Sequence, residues 1–522
     1  MTKRFLTFLL SVLMLVSIVL FAVSCGNDSK KTDTTASTTT AERSTETTTA
    51  STETEVTETE EDQTTTETEP ETTVLTGREK MPGHEDVDFG GLTFLISSNC
   101  DGDDSWEDGK DFWVESITND AVNDAVYERN EVMKNLYNCD ITVDSGGKDN
   151  GFNADVASGG GKYIAATKLY GPVKSYVSGT YYNLLKLDVD FTQDYWDQNY
   201  IDSFAVDGRL FNIVGDFSIC TFKGAWIIFY NKDVYETKFS DVDIYQMVRE
   251  KKWTWDAMEN MMETIKNDAN GDQKYEFSEG SDADILGFIS TDQNAQGFYF
   301  ATGERTVRVS DDKSTYVPAI PTTRGNDILD RMISFLNVES YVMTGYTSVQ
   351  TALQNGTTLF GGEVLDVLRR MSNAENLRIG ILPLPMLDEN QDTYHCYVNR
   401  HAVSPLAVPT SYSNLEVVSN FLTLFAYHSS MIVRPAFINT YKYTYTSDEE
   451  SAEMLDIILN NRVYDPGYLD EITSITSFIG YISTMISNKK NNYTKFVAKM
   501  ETSMNSEIDE LVTKIKSVDD NY

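Results

Sequence analysis

Residues 268–279 are the part of the chain whose oxygen side chains are best spaced for binding a cation. In this twelve-residue loop, positions one, three, five, nine and twelve are Asp268, Asn270, Asp272, Glu276 and Glu279. Lys274 stands at position seven. This is the spacing of an EF-hand loop, which wraps hard oxygen ligands around Ca²⁺. Position six should be glycine for the sharp turn, but it is Gln273, and Gly271 is at position four. A structural calcium site and a solvated acidic turn are both open interpretations.

A second chemistry is indicated at Cys25, whose thiol follows an apolar N-terminal segment. Lys3 and Arg4 precede an almost continuous apolar run over residues 5–22, and Ala22-Val23-Ser24 leads directly into Cys25. The pattern resembles the lipobox of bacterial lipoproteins, in which the cysteine is lipidated and the peptide is cut just before it. It predicts a signal peptide over 1–24 and a lipid anchor, with palmitate among its chains, on Cys25. An ordinary signal peptide with an incidental cysteine is the alternative. No later run is expected to span a bilayer.

The sequence lacks the motifs of the common hydrolases. There is no G-x-S-x-G, H-E-x-x-H or Walker loop, and the four histidines are scattered: His84, His395, His401 and His428. The six-residue spacing of His395 and His401 is not that of zinc ligands. A glycosidase needs two carboxylates facing a sugar across ~5–10 Å, and among 81 acidic residues such a pair can always be chosen. We therefore predict a protein that is not an enzyme and requires no cofactor.

Composition divides the chain into a tether and a globular part. Residues 32–76 are almost entirely Thr, Ser and Glu, with one proline and no aromatic residue. Such a segment buries too little apolar surface to offset its conformational entropy, so we predict a disordered tether over 25–80. The net charge of −39 argues against binding nucleic acid.

Four cysteines follow Cys25: Cys100, Cys139, Cys220 and Cys396. An even number in an exported protein invites pairing. However, Cys100 follows the first predicted strand (92–97), and Cys139 precedes the second (141–143) with a helix between them. In a βαβ unit these two positions lie at opposite ends of the sheet. We predict buried free thiols for all four.

The elements predicted from periodicity are mixed α/β at first and mostly helical in the last third. A helix is predicted over 120–137, and further strands over 163–169, 210–214 and 226–230. Thr254 is the expected N-cap of a helix over 257–265, with Trp253 or Trp255 in the core. Later helices are predicted over 416–428, 451–459 and 493–518.

Several segments share the order and spacing of one family. They are Trp196-Asp197, Val206-Asp207-Gly208-Arg209-Leu210-Phe211, Phe229-Tyr230-Asn231-Lys232-Asp233, Lys252-Trp253-Thr254-Trp255-Asp256, Gly380-Ile381-Leu382-Pro383-Leu384-Pro385, and Tyr441-Lys442-Tyr443-Thr444 followed by Asp448-Glu449-Glu450-Ser451. This set resembles the extracellular solute-binding proteins of ABC importers, in the carbohydrate-binding group that includes maltodextrin-binding protein. The resemblance covers about residues 88–515.

The resemblance implies an α/β, two-lobed periplasmic-binding-protein-like fold over 81–522, with a cleft between the lobes. Lobe one would comprise about 85–212 and 360–400, and lobe two about 218–356 and 406–515. The implied crossings between lobes are 210–217, 357–362 and 398–405. Gly215, Gly361 and Gly362 are the candidate hinge glycines.

The cleft loops of the family map onto a candidate ligand-binding set: Tyr170, Asp216, Trp226, Asn294, Gln296, Phe298 and Glu363. The aromatic residues would stack on the C–H faces of a sugar, and the amides and carboxylates would bind its hydroxyls. For each of these residues, an ordinary core or surface position is the alternative.

The sequence therefore predicts a monomeric solute-binding protein, lipid-anchored on the extracellular face of the cell membrane. Its solute would be a sugar or oligosaccharide, and its partner the permease of an ABC importer. A surface-anchored carbohydrate-binding adhesin is the main alternative, and a glycoside hydrolase is a further one.

Overall fold

The structure is a computed structural model that describes residues 77–98, 108–145, 151–167, 179–320, 323–371, 377–446, 448–470 and 472–518. The predicted signal peptide, Cys25 and the tether up to residue 76 lie outside these residues. So do Tyr170 and Cys100. The predictions made for them stay predictions.

The strands, in chain order, are β1 Leu92–Ser98, β2 Cys139–Asp144, β3 Tyr163–Thr167, β4 Trp226–Asn231, β5 Leu286–Ser290, β6 Val307–Val309, β7 Tyr316–Pro318, β8 Tyr341–Met343, β9 Thr358–Val364, β10 Ile379–Pro383, β11 Cys396–Tyr397, β12 Leu406–Ala407 and β13 Arg462–Val463. The predicted strands near 92, 141, 163 and 226 are confirmed. The strand predicted over 210–214 is wrong, since only Ile213 forms a bridge there, to Leu406.

The α-helices are α1 Ala121–Tyr137, α2 Phe152–Ser158, α3 Gln198–Phe204, α4 Ile219–Lys223, α5 Lys232–Phe239, α6 Ile244–Arg249, α7 Trp255–Ile265, α8 Asn294–Ala301, α9 Thr323–Phe335, α10 Tyr346–Asn355, α11 Val367–Met371, α12 Leu415–His428, α13 Arg434–Asn439, α14 Glu449–Asn460, α15 Pro466–Leu469, α16 Thr473–Ser487 and α17 Tyr493–Ser517. Short 3₁₀ helices span Asp108–Asp111, Leu184–Lys186 and Arg400–Ala402, and π-helical turns span Ser429–Val433 and Thr440–Tyr445. The predicted helices near 120, 257, 416, 451 and 493 are confirmed.

Two sheets organise the domain. The first has the order β12-β3-β1-β2, in which β1, β2 and β3 are parallel and β12 is antiparallel to β3. Helix α1 connects β1 to β2. Its N-cap is Asp120, whose side chain accepts hydrogen bonds from the backbone N–H groups of Val122 and Asn123. We call the part built on this sheet the first lobe.

The second sheet has the order β10-β4-β9-β5-β8 and defines the second lobe. Strand β4 is antiparallel to both its neighbours, whereas β5 is parallel to β8 and β9. This membership corrects the lobe boundaries expected from the sequence. Segment 360–400 contributes β9 and β10 to the second sheet, and segment 406–515 begins with β12 of the first. Apolar strands of this kind can be buried in the core of either lobe, so the sequence does not show which sheet each strand joins.

The lobes are joined by two crossings that run antiparallel to each other. Ile213 and Leu406 exchange two backbone hydrogen bonds of 2.9 Å at the first-lobe end. At the second-lobe end, Ala225 bridges Val398. The predicted crossings at 210–217 and 398–405 therefore lie side by side. Gly215 is in the first of them.

The crossing expected at 357–362 is wrong. These residues form β9, which is paired on both sides, with β4 and with β5. Gly361 and Gly362 therefore cannot act as hinges; their role is close packing. A Cβ at Gly361 would lie 2.7 Å from Cδ1 of Leu353, and one at Gly362 would lie 2.3 Å from Nδ2 of Asn294.

A continuous helical run from Leu415 to Tyr445 makes the third connection. It begins against the first sheet, where Phe421 packs on Phe94 with ring centroids 4.8 Å apart. The next helix, α14, packs on β10 of the second sheet. Among the described residues this is the one helix long and apolar enough to cross a membrane, whereas the sequence predicts no such run after the N-terminal segment. About 61% of its apolar window is buried inside the protein, as in a core helix.

The folded domain begins earlier than the tether boundary expected at residue 80. The carbonyl of Gly77 lies 2.8 Å from Nδ1 of His428, and Nε2 of His428 lies 3.2 Å from the hydroxyl of Tyr137. That hydroxyl also accepts a hydrogen bond from the N–H of Met81. Residues 77–81 are thus fixed to the first lobe.

The cysteine prediction is confirmed for the three cysteines that the structure describes. Cys139, Cys220 and Cys396 are free and buried. Burial raises the pKa of the Cys139 and Cys396 thiols to about 12, so neither is a reactive thiolate at neutral pH.

Replacing Gly362 by alanine tests the packing of β9. Because the new Cβ would overlap the Asn294 amide, we expect Gly362→Ala to lower the free energy of unfolding by about 1–3 kcal/mol. Gly480→Ala is the matched control. Gly480 is exposed within α16 and has open space around it, so this change should stabilise by ~0.5–1 kcal/mol. Urea unfolding measures both, and equal effects at the two sites would contradict the packing.

Candidate functional site

Polar side chains collect at one edge of the second sheet, where four of its strands end. Strands β5, β8, β9 and β10 run in the same direction, so their carboxyl ends share this edge. Antiparallel β4 begins there, with Trp226 opposite Val364. In α/β sheets, ligands bind outside the carboxyl ends of strands. We call Thr291, Asn294, Gln296 and Glu363 the edge cluster.

Asn294 and Glu363 are buried there without full hydrogen bonding. Asn294 is 0% exposed and Glu363 is 1% exposed. Neither polar atom of the Asn294 amide, nor Oε2 of Glu363, nor the hydroxyl of Thr291 has a hydrogen-bond partner among the described residues. A buried polar group without a partner costs ~1–3 kcal/mol, so native structures rarely retain several together unless a ligand or ordered water satisfies them.

Burial raises the pKa of Glu363 to about 7, against smaller lowering effects from the Val364 N–H and the charge of Arg370. The Val364 N–H donates to Oε1 of Glu363 at 3.0 Å. At pH 7 the protonated and ionised forms of this carboxyl group are therefore about equally populated. The protonated form donates a hydrogen bond and the ionised form accepts one, so either form can bind a hydroxyl group.

Gln296 connects the edge cluster to an aromatic group. Its Oε1 accepts a hydrogen bond of 2.9 Å from the hydroxyl of Tyr468. The guanidinium of Arg400 lies 4.6 Å from the centroid of the Tyr468 ring, and its Nη1 has no partner among the described residues. Sequence reasoning missed Tyr468 and Arg400. Arg400 follows Val398 in a predicted crossing, which is the one signal that could have pointed to it.

The other predicted ligand-binding residues are placed differently. Phe298 is fully buried, and its ring packs on Trp255, Phe288 and Phe335. It is a core residue, so its assignment to the ligand set is corrected. Trp226 is 1% exposed and presents no free ring face for stacking.

Asp216 already has a charged partner. Nη1 of Arg434 donates to both its carboxylate oxygens, at 3.2 and 3.3 Å. Burial raises the pKa of Asp216 to about 6, although the Arg434 charge opposes this. A sugar hydroxyl would have to share this carboxylate with Arg434.

A cavity of about 300 Å³ lies between the lobes. Its first-lobe wall comprises residues before and at the start of α1, including Lys110 and Asp120, and its opposite wall includes Lys223 and Arg369. Arg369 and Arg370 both bind Asp366. Helix α11 thus borders the cavity, and the charge of its Arg370 lowers the pKa of Glu363.

The acidic loop at 268–279 folds as a series of side-chain-to-backbone turns. Oδ1 and Oδ2 of Asp268 accept hydrogen bonds from the N–H groups of Gly271 and Gln273. Gln273 adopts a positive φ of 64°, the conformation that glycine would supply. Among the described residues, no group of three or more His, Cys, Asp or Glu side chains is arranged to hold a metal ion. Calcium binding stays a prediction.

The fold can be compared with known structures. The cyclic α-maltosyl-1,6-maltose binding protein of Arthrobacter globiformis aligns with a TM-score of 0.52 at 11% identity, over 82% of this chain and 100% of that protein. UspC of M. tuberculosis aligns with a TM-score of 0.51 at 12% identity, over 80% of this chain and 100% of that protein. No protein-family model and no curated protein sequence matches. The chain therefore has the two-lobed fold of binding proteins, as the sequence predicted.

Truncating Asn294 separates a ligand-binding role from a structural one. Its amide makes no hydrogen bond to the described residues, so we expect Asn294→Ala to change the free energy of unfolding by less than about 1 kcal/mol. Asn231 is also buried, but it accepts from Val234 N–H and donates to the carbonyl of Leu353. Asn231→Ala should cost about 1–2 kcal/mol. Thermal unfolding compares the two, and an Asn294→Ala loss as large as that of Asn231→Ala would assign Asn294 to the core.

Proposed function

We propose that this protein is an extracellular solute-binding protein, which captures a small sugar or oligosaccharide between its lobes and delivers it to an ABC importer. The observation that carries this proposal is the edge cluster, in which several buried polar groups lack partners at the ligand-binding edge of a two-lobed fold. A binding role satisfies them without invoking any reaction.

The connections between the lobes support a closing motion. Two adjacent crossings and one helical run link the lobes, and few-residue connections of this kind act as hinges. A solute favours closure only to the extent that it binds the closed form more tightly than the open one. Contacts made from both lobes at once supply that difference.

Carbohydrate is the favoured solute class because of the chemistry at the sheet edge. Amides and a half-protonated carboxyl group exchange hydrogen bonds with hydroxyls, and Gln296 adds a further amide, whose Oε1 accepts from the hydroxyl of buried Tyr468. The similar protein from Arthrobacter globiformis binds a maltose-derived cyclic sugar, which favours the same class here.

The N-terminal segment would hold this domain at the membrane. Lipidation of Cys25 and a Thr/Ser/Glu tether up to residue 76 would place it on the extracellular face, within reach of a permease. At ~5–6 Å × √n, the roughly 50 residues of tether give a mean reach of ~40 Å. We propose that the domain acts there as a monomer.

An adhesin with the same fold is the alternative in another functional class. It would bind polymeric carbohydrate without an importer, whereas a glycosidase would turn its ligand over. Measuring whether a bound oligosaccharide is recovered intact, and whether polymer competes for it, distinguishes the three.

Sugar binding should release protons at neutral pH. A carboxylate that accepts hydroxyl hydrogen bonds is stabilised in its charged form, so the pKa of Glu363 should fall from about 7 when sugar binds. Calorimetry of a binding saccharide, drawn from glucose, maltose, maltotriose and raffinose, in buffers of different ionisation enthalpy should show release of up to about half a proton at pH 7.

Glu363→Gln is the control for this measurement, because glutamine cannot titrate. It should abolish the proton release, and it also tests the pKa itself. The pKa of Glu363 is raised on folding from 4.5 to about 7. The contribution of this residue to stability is therefore fully present below pH 4.5 and is lost as the pH rises to 7. Relative to Glu363→Gln, the loss should be about 3 kcal/mol. Binding of every saccharide without proton release would remove Glu363 from the site.

A further inference from the structure

A second cavity, of about 470 Å³, shares no lining residue with the inter-lobe cavity. One wall is α3, with Asn199 and Asp202, and the facing walls come from β6, β13 and the segment around His395. This volume falls in the range of ~300–1,000 Å³ that small-molecule sites occupy.

Two arginines in this cavity have no acidic partner. Among the described residues, no carboxylate lies within 4 Å of the guanidinium of Arg305 or Arg308. Arg305 donates to the carbonyls of Phe300 and Glu304, and Arg308 to that of Gly303. Burial lowers the pKa of Arg305 to about 10, and the charges of Asp465 and Glu304 oppose this only in part. The charge of Arg305 is therefore held at a desolvation cost that its neighbours do not fully offset.

The acidic groups nearby are already engaged or lie at the rim. Asp197 binds Arg462 at 2.6 Å, and Asp202 pairs with Lys313 in water at the surface. Asp465 accepts from the N–H groups of Thr306 and Tyr468, at 2.6 and 2.8 Å. Asp311 is exposed at the rim. The cavity lining holds three arginines (Arg305, Arg308 and Arg462) against the two carboxylates of Asp202 and Asp311, in a chain whose net charge is −39.

The pKa of His395 is also affected by the charges of nearby arginines. Burial, together with the charges of Arg305, Arg308 and Arg324, lowers the pKa of His395 to about 4. Its imidazole is therefore neutral at pH 7, and it makes no hydrogen bond to the described residues. It is available to a ligand as donor or acceptor.

We propose that this cavity binds a small organic anion, whose phosphate or carboxylate group lies between Arg305 and Arg308. Planar guanidinium groups suit the paired oxygens of such anions, and Thr393, Asn460 and Asn461 in the lining supply further hydrogen bonds. The anion is free in solution, because Asp202, Asp311 and the net charge repel an acidic surface. This site is independent of the proposed sugar site.

The test uses inorganic phosphate and citrate as probes, at constant ionic strength. NMR of the histidine imidazoles is practical because the chain has four histidines, and His395→Asn assigns the signal. We expect either probe to raise the pKa of His395 by about one unit and to raise the melting temperature. Arg308→Gln should weaken binding about tenfold or more, and Arg308→Lys should weaken it less.

Arg249→Gln is the matched control. Arg249 forms a surface ion pair with Glu453, so this substitution should leave anion binding unchanged. A His395 pKa that stays constant up to tens of millimolar probe overturns the proposal. So does an equal response in Arg308→Gln and Arg249→Gln, because that is a salt effect. Arg308-dependent co-sedimentation with phosphatidylglycerol vesicles, without a response to either free anion, would instead assign the site to a membrane surface.

Discussion

The arrangement of the two lobes depends on one buried polar junction, centred on Asp111. Its carboxylate accepts hydrogen bonds from the N–H of Cys220, at 3.0 Å, and from the hydroxyl of Ser404, at 2.8 Å. These residues belong to the two crossings. Arg129, fully buried on α1, donates to the Asp111 carbonyl and to Ser429 at the start of the first π-helical turn. First-lobe loop, both crossings and the long helix therefore meet at one point.

The polar groups of this junction and those of the edge cluster differ in whether their hydrogen bonds are satisfied within the protein. At the junction the polar groups bind one another, which fixes where the chain bends. At the sheet edge, Asn294 and Glu363 are equally buried, but the Asn294 amide and Oε2 of Glu363 lack partners among the described residues. Satisfied buried networks specify structure, whereas unsatisfied groups are costly and mark function. The contrast between these two sites is the physical basis for proposing that the sheet edge binds a ligand.

Local signals in the sequence predicted the local structure well. Thr254 is the N-cap expected for α7, the helix predicted over 120–137 is α1 with Asp120 as its N-cap, and Trp253 and Trp255 are both in the core. Long-range pairing was not predictable: segment 357–362, which the family resemblance implied to be a crossing, is part of β9, and its glycines allow Leu353 and Asn294 to pack closely. The resemblance to a cleft loop also misassigned Phe298, since an aromatic residue suits a core as well as a cleft.

The most direct test of the account is whether sugar closes the lobes. The distance between the lobes can be measured by double electron–electron resonance between two spin labels. One label is attached to Lys186→Cys on the first lobe and the other to Asp327→Cys on the second. With the saccharide that binds best among glucose, maltose, maltotriose and raffinose, we predict a shift to a shorter distance in the wild-type background, and little or no shift in Asn294→Ala. A distance distribution that a bound saccharide leaves unchanged would contradict capture by lobe closure.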